Sequence, residues 1–436
     1  MSLPPPLSAK DKNSFAYETV KDRLPLIVTR IVDFLARHRS DILHDFGEDA
    51  DRECKSCIGA MDKLRYEIAR DKPIVLLGDQ YPDVEIWNRC LQDMRNKGQA
   101  LSWFQSPWLL VECYMYRCIM QAFYLTKHMN TTDPFYEMKQ RSFLASENAA
   151  HTLLSQLDND LQMKNTEEST LREQFSTYME ISLWGNRCDL SLSAGSDSSQ
   201  NHDPFHQLSE LKQCLLINHE SDVYQYIVKQ HSDDFNHDIY FDLILDNAGF
   251  ELLGDLCLAD FLISKRLCSR LTLHLKMMPW FVSDATRQDL DWLFSQLEKS
   301  QSEIWQKTVE RWKEHVKNGQ WIITAHQFYT LPFDYSQMRK YSSDLYTSLT
   351  NSHLLIFKGD LNYRKLVGDL KWNLNDKFDY ALRGFHPTSL VVLRTLKSDV
   401  QLELDEQSIN YAKNLDSNWM VTGQFGVIQW WKKPDV

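Results

Sequence analysis

Several signatures are missing from this sequence, and each absence removes a class of function. No GxGxG follows an apparent strand, so neither a dinucleotide fold nor an ordinary methyltransferase is signalled. The phosphate-cradling GxxxxGK[ST], the metalloprotease HExxH and the nucleophile-elbow GxSxG are absent too. No apolar run is suited to a bilayer: the most hydrophobic window, Trp108–Leu125, is broken by Glu112 and Arg117. The opening MSLPPPLSAKDKNS has no apolar core, as a signal peptide would, and its prolines predict a disordered leader over residues 1–14. Positive charge is in short supply, 48 Lys and Arg against 60 Asp and Glu, for a net charge of −12. That balance argues against nonspecific binding to nucleic acid or to an anionic membrane, while leaving room for a local basic pocket. The nine cysteines include a lone Cys54-Lys55-Ser56-Cys57, with no second pair to complete a zinc site. Cys113, Cys118, Cys257 and Cys268 sit in apolar patterns as small hydrophobes. Disulfides are not expected, so the compartment is read as reducing: the cytosol, with the nucleus as a second location.

A chain of 436 residues, 43% hydrophobic and 25% charged, has the composition of a globular protein and is long enough for two domains. Residues 15–189 read as helical nearly throughout, with Val20, Leu24, Ile27, Ile31, Phe34 and Leu35 on one stripe. Ser106-Pro107 opens a central, aromatic-rich helix in the usual way, and helices follow near 136–160 and 168–184. Residues 190–204 are rich in Ser, Asp and Asn and read as a boundary loop. From 205 to 436 short apolar runs alternate with helical ones: 239–245, 271–276, 320–324, 353–357, 388–393 and 422–430. That rhythm predicts an α/β domain, a largely parallel sheet in a Rossmann-like three-layer α/β/α arrangement, joined to an N-terminal all-α helical domain.

Chemistry is expected at strand ends, because ligands of open α/β sheets bind outside the carboxyl ends of the strands. The stretch Ile239–Leu256 reads as strand, acidic turn and helix, with Asp246 and Asn247 at the turn. Their oxygens suit a hard cation, although an Asx turn that starts a helix explains the same residues. Asp284 ends the segment LTLHLKMMPWFVSD and reads either as a third oxygen ligand or as the N-cap of the next helix. In HLLIFKGDLNYRKLVGD the Gly359 turn, flanked by Lys358 and Arg364, suits an anion at a helix N-terminus. Lys397, just past the strand ending at Arg394, suits a phosphate as a point charge or is simply solvated. Asn186 and Asp189 follow a Gly185-Asn186 helix end and could turn toward a cleft between domains.

Four of these motifs in order resemble one family, the metal-dependent damage-control phosphatases once grouped as a domain of unknown function. They are LWGNRCD (183–189), DNAGFE (246–251) with the downstream Asp284, KGDLN (358–362) and RTLK (394–397). WLLVECYMYR (108–117) extends the likeness into the helical half, so that it covers residues 15–430. RTLK is similar to the RTxK feature of the third subfamily, whose substrates are sugar phosphates, fructose 1-phosphate and fructose 6-phosphate among them. The resemblance implies Asp246, Asn247 and Asp284 as metal ligands, for Mn²⁺ or Ni²⁺, with Co²⁺ and Mg²⁺ as alternatives, and Asp246 and Asp284 as catalytic. It implies Asp246, Asn247, Asp360, Leu361, Asn362, Tyr363, Arg364 and Lys397 as substrate contacts. The same subfamily is also described as an acidic residue methyltransferase, for which Glu251 and Asp284 would hold S-adenosylmethionine and a protein carboxylate would be the substrate. Against that alternative stands the absent glycine-rich loop. A third reading is a non-catalytic adaptor that uses the helical half.

Charges in the most apolar helix need partners, since an unpaired buried charge is costly. Glu112 therefore pairs with Arg117 or with a neighbouring helix, or else this helix faces the cleft and Arg117 or Tyr116 touches sugar hydroxyls.

Overall fold

The computed structural model describes residues 3–163, 166–193, 204–233 and 238–434. Its centre is a sheet of seven strands: β1 (Leu215–Asn218), β2 (Tyr240–Ile244), β3 (Arg270–Leu275), β4 (Trp321–Ala325), β5 (Leu354–Lys358), β6 (Ser389–Thr395) and β7 (Gly426–Trp431). Their spatial order is β1-β7-β6-β5-β2-β3-β4. All neighbours run parallel except β6 and β7, so β2, β3, β5 and β6 deliver their carboxyl ends to one rim. Six of the strands coincide with the apolar runs. β1, only four residues long, has no comparable signal.

The central strands are apolar on both faces because both faces are covered. Along β5, Leu354 and Ile356 enter one hydrophobic cluster while Leu355 and Phe357 enter the other. Along β6, Leu390 and Val392 alternate with Val391 and Leu393 in the same way. Each cluster also draws on the N-terminal helices. Helix Trp108–Tyr124 and the long segment Leu24–Ala69, kinked at Gly47, build the first, whereas Glu147–Gln162 and Glu168–Ser193 build the second. The three-layer α/β/α class is as expected. The all-α stretch of the chain wraps both layers of that sandwich.

Some local expectations need correction. From Leu3 onward the leader is ordered: Leu7 is buried, its amide donates to Asp369 O (2.8 Å) and its carbonyl accepts from Trp108 N (2.8 Å). Three prolines favour an extended strand-like path here, one that pairs at Pro6 with Leu370 and at Ser8 with Pro107. Gly185-Asn186 does not end its helix, which continues to Ser193. A Cβ on Gly185 would lie 2.8 Å from Glu251 Cα, so the glycine serves the close approach of two helices, a use that sequence cannot tell from a cap. The next helix opens at Pro204, so of the expected loop 190–204 only 194–203 falls between helices, and it lies outside the described residues. All eight described cysteines are free, and Cys54 and Cys57 are buried against the carbonyls of Leu35 and Ala122.

Candidate functional site

Two pairs of strand ends build the rim. At the first, β2 leads into Asp246-Asn247-Ala248-Gly249, and Gly249 takes a positive φ (71°) before helix Phe250–Ser264. The segment after β3 returns alongside: Ala248 N donates to Ser283 O (2.7 Å) and Ala285 N to Asp246 O (2.7 Å). Asn247 and Asp284 are thereby bridged across the two segments. Asn247 Nδ2 donates to Asp246 Oδ2 (2.9 Å) and to Glu251 Oε2 (2.8 Å), while its Oδ1 accepts from Ser283 Oγ. Asp284 is not a helix cap. The cap of helix Arg287–Lys299 is Thr286, in a capping box with Asp289, which removes the structural explanation for Asp284.

At the second pair, β5 passes into Gly359 (φ 81°), the first residue of helix Gly359–Val367. The N-cap residue, Lys358, makes no side-chain capping bond to that helix, whose first turn lies at the rim. A Cβ on Gly359 would fall 1.8 Å from Asp246 Oδ2, so only glycine lets the Asp246 carboxylate sit against the turn. Arg394, next to last in β6, has its guanidinium fully buried over the Tyr363 ring (4.1 Å) and donates from Nε to Asp360 Oδ1 (2.9 Å). The same Asp360 oxygen accepts Lys397 N (3.1 Å) and Ser398 Oγ (3.0 Å). Arg394 and Asp360 thus fix the backbone that presents Lys397, whose half-buried ammonium has no ion-pair partner among the described residues. It lies close enough to help hold down the Asp246 carboxyl.

Asp246, Asn247, Glu251, Asp284, the Gly359 turn and Lys397 therefore meet at one rim. Others do not open onto it. Lys358 is buried, bonded to Ser182 O and paired with Asp255 (3.0 Å) and Glu251 (3.5 Å), so its charge faces acids and is not offered to an anion. Asn362 links Tyr335 Oη (2.8 Å) to Lys358 O (2.8 Å), Tyr363 Oη donates to Gln429 (3.0 Å), and Leu361 is core. Arg364 forks onto Asp369 (2.8 and 3.0 Å), binds Glu112 and stacks on Trp108 (3.6 Å). Glu112 thus finds its partner in another element and not in Arg117, which is fully buried between Asp79 and Asp83. Asp360 points to Arg394, as above. The side chains of Asn186 and Asp189 lie outside the described residues.

Two lysines at this rim carry no motif. Lys276, next after β3, is buried and lies 3.0 Å from Leu245 O and 3.2 Å from Asp284 Oδ2. Strand alternation sets it on the face of Thr272 and His274, the one signal that could have found it. Lys139, from helix Tyr136–Ala145, reaches the carbonyl of Asp284 (3.1 Å).

Burial raises the Asp246 carboxyl well above its ordinary range, and Asp284 and Glu251 add to the effect against Lys276 and Lys397. Burial also raises Asp284, with Lys276 and Lys139 opposing. Asp284 Oδ2 makes no hydrogen bond of good geometry. Crowded carboxylates with an unsatisfied oxygen suit a hard cation. Among the described residues no three His, Cys, Asp or Glu side chains gather closely enough to hold a metal ion, so a cation here would rest on two carboxylates and an amide. Asn247 would have to rotate its amide to present the oxygen. A cleft of 660 Å³ between Tyr81, Tyr124 and Met277–Pro279 abuts this rim at Lys276, but Asp246 is not in its wall. Among the described residues no helix is long and apolar enough to cross a membrane.

Comparison with known proteins gives a consistent picture. A model of the damage-control phosphatase ARMT1-like domain matches residues 19–410. The damage-control phosphatase ARMT1 of Danio rerio is 43% identical over 98% of this chain and 97% of its own length. The Homo sapiens protein of the same name is 39% identical over 98% of both. The crystal structure of a DUF89 family protein from Pyrococcus horikoshii aligns over 95% of this chain and 97% of its own, at 14% identity and a TM-score of 0.46. With matches of that extent and identity, the chain belongs to the ARMT1-like damage-control phosphatase domain family.

Proposed function

We propose that this protein is a metal-dependent phosphomonoester hydrolase acting on sugar phosphates such as fructose 1-phosphate and fructose 6-phosphate. The observation that carries this is the contact at Gly359, where the Asp246 carboxylate rests against the N-terminus of a helix. An oxygen donor set for a cation and an amide cradle for an anion thus share one point. Asp246 and Asp284, with Asn247 after rotation of its amide, would hold Mn²⁺, Ni²⁺, Co²⁺ or Mg²⁺. Such an ion supplies polarisation of a phosphoryl oxygen and a water more acidic than bulk water. The first-turn amides of helix Gly359–Val367 bind the other phosphoryl oxygens, and Lys397 offsets the charge that grows as the ester bond breaks. Lys276, 3.2 Å from Asp284 Oδ2, opposes the upward push that burial gives the Asp284 carboxyl. In this reading Asp246 is taken up by the ion and its Oδ2 is packed against Gly359, which favours water over Asp246 as the nucleophile.

The test is phosphate release from fructose 1-phosphate by chelator-stripped protein, with and without added Mn²⁺ or Ni²⁺. Turnover restored only by metal is expected. Undiminished turnover after chelation, or none on any sugar phosphate with metal present, overturns the assignment.

A further inference from the structure

The turn that delivers Asp284 is strained, and the residues that hold it belong to the helical half of the chain. Phe281 and Val282 both have positive φ, 41° and 71°. The left-handed region is unfavourable for any residue with a Cβ and most so for a β-branched one. Such a turn persists only where its surroundings over-determine it. On the sheet side it is tied by the amides of Ala248 and Ala285, as described above. On the other side the Phe281 ring stacks on Tyr116 (4.7 Å between centroids, 24° between planes). Val282 forms part of the wall of a groove shared with Ile27, Ile31, Phe34 and Phe135. Beneath them Lys139, 4% exposed, donates from one ammonium to Asp284 O (3.1 Å), Asp133 Oδ2 (2.8 Å) and Asp289 Oδ2 (2.8 Å). Asp289 in turn accepts from Thr286 N (2.8 Å) and Thr286 Oγ1 (2.7 Å). Lys139 therefore grips both ends of the Asp284–Asp289 segment.

We propose that Lys139 is a positioning residue: from the helical half it clamps the strained Trp280–Asp284 turn and so keeps the Asp284 carboxylate beside Asp246. This rests on the reading of Asp246 and Asp284 as the working carboxylates. The helical half then contributes to the site by holding a loop, with no side chain of its own on the substrate required.

The experiment compares wild type, Lys139→Met and Lys139→Met/Asp133→Asn; the double variant removes the cation together with one of its two counter-charges, so that it folds where the single one does not. Hydrogen exchange in metal-free protein reads the clamp independently of turnover. The Ala248 and Ala285 amides should exchange about 10-fold faster or more, with strand amides such as those of Val391 and Val392 unchanged. With Mn²⁺ and fructose 1-phosphate, kcat should fall about 10-fold or more while KM moves little, because a displaced carboxylate affects the reacting geometry more than substrate capture. Calorimetric Mn²⁺ affinity should weaken alongside. Wild-type exchange and kcat in the variants would overturn the proposal, as would loss of protection spread evenly over the strands of a variant that folds. If wild type itself releases no phosphate, the functional assignment fails, and the exchange rates alone decide whether Lys139 holds the turn.

Discussion

Arg117 in the helical half and Lys397 at the rim are cations of the same sign in opposite circumstances. Arg117 is fully buried and every nitrogen of its fork is engaged, with Asp79 at 2.7 and 2.8 Å and Asp83 at 2.7 to 3.0 Å. The stacked Tyr81 and Tyr124 rings lie within 6 Å of its guanidinium (5.5 and 5.8 Å). Nothing is left over to meet a ligand. Lys397 has its backbone pinned by Asp360, yet its ammonium, near enough to help hold down the Asp246 carboxyl, has no ion-pair partner among the described residues. Near it, Asp246 and Asp284 crowd each other, and Lys276 pairs with Asp284. A satisfied network is structural, whereas a network left incomplete in a well-ordered setting is where a ligand completes it.

That contrast can be broken most directly at Asp246. Asp246→Ala should lower phosphate release about 10³-fold or more, equivalent to ~4 kcal/mol in the barrier, if a cation depends on this carboxylate. Its denaturation midpoint should hold or rise, because a repelling buried acid is removed. A variant that is destabilised but keeps wild-type turnover while folded would reverse the assignment. Arg117→Met should do the opposite. Asp79 and Asp83 would be left buried without their cation, at a cost of about 3–5 kcal/mol in urea unfolding. Among molecules that remain folded, the ratio of kcat/KM between fructose 1-phosphate and fructose 6-phosphate should not change. A shifted ratio would return Arg117 to the substrate site.

Lys397→Ala should cost about 10- to 100-fold in turnover, with Lys397→Arg recovering only part, since a planar fork does not occupy the place of a compact ammonium. The loss should shrink at high salt less than a surface effect would, because the group is half-buried. Stability equal to wild type in both variants would sharpen the contrast with Arg117.

The sheet was legible because strands covered on both faces write an uninterrupted apolar run, as Leu354–Phe357 does, and because the polar residue that ends such a run stands at the rim. Asp246, Gly359 and Lys397 were found in this way. What could not be read is which charge faces which. Arg364 and Asp360 lie in the KGDLN–RTLK neighbourhood and read as substrate contacts, yet Glu112, Asp369 and Arg394 take them up, and those pairings span up to 252 residues of chain. Lys139 stands in no motif, and one of the two acids that hold it, Asp289, is 150 positions away on another helix. Gly185 reads as a helix end, because the tight neighbour that requires a glycine is 66 positions away at Glu251. Pattern within a segment was visible and pairing between segments was not.

The smallest effect probes whether an incomplete buried charge is enough, by itself, to mark function. Glu180, on helix Glu168–Ser193, is 3% exposed, and its cation Lys212 is solvent-exposed and 3.9 Å away. Burial pushes its carboxyl up from 4.5 to about 7, with Lys212 opposing and Glu220 adding to the rise. Between those two values the folded protein holds a proton that the unfolded chain has released, so stability falls as pH rises from about 4.5 to about 7. Above that window the folded state carries the full penalty of a poorly compensated anion; below it both states are protonated and no penalty remains. Glu180→Gln removes the ionisation while keeping the shape. Its advantage over wild type in urea unfolding should therefore be near zero at pH 4 and grow to about 1–2 kcal/mol by pH 8, a value reduced from the full shift because Lys212 is screened by water. Turnover of fructose 1-phosphate should be unchanged at either pH. If so, Glu180 is a cost of packing, and what distinguishes the rim is the convergence of several such groups, with Asp246, Asp284 and Lys397 brought together by three strand ends. If Glu180→Gln instead lowers turnover with no gain in stability, isolated incompleteness is itself a functional mark, and the line drawn between Arg117 and Lys397 would have to be drawn on other grounds.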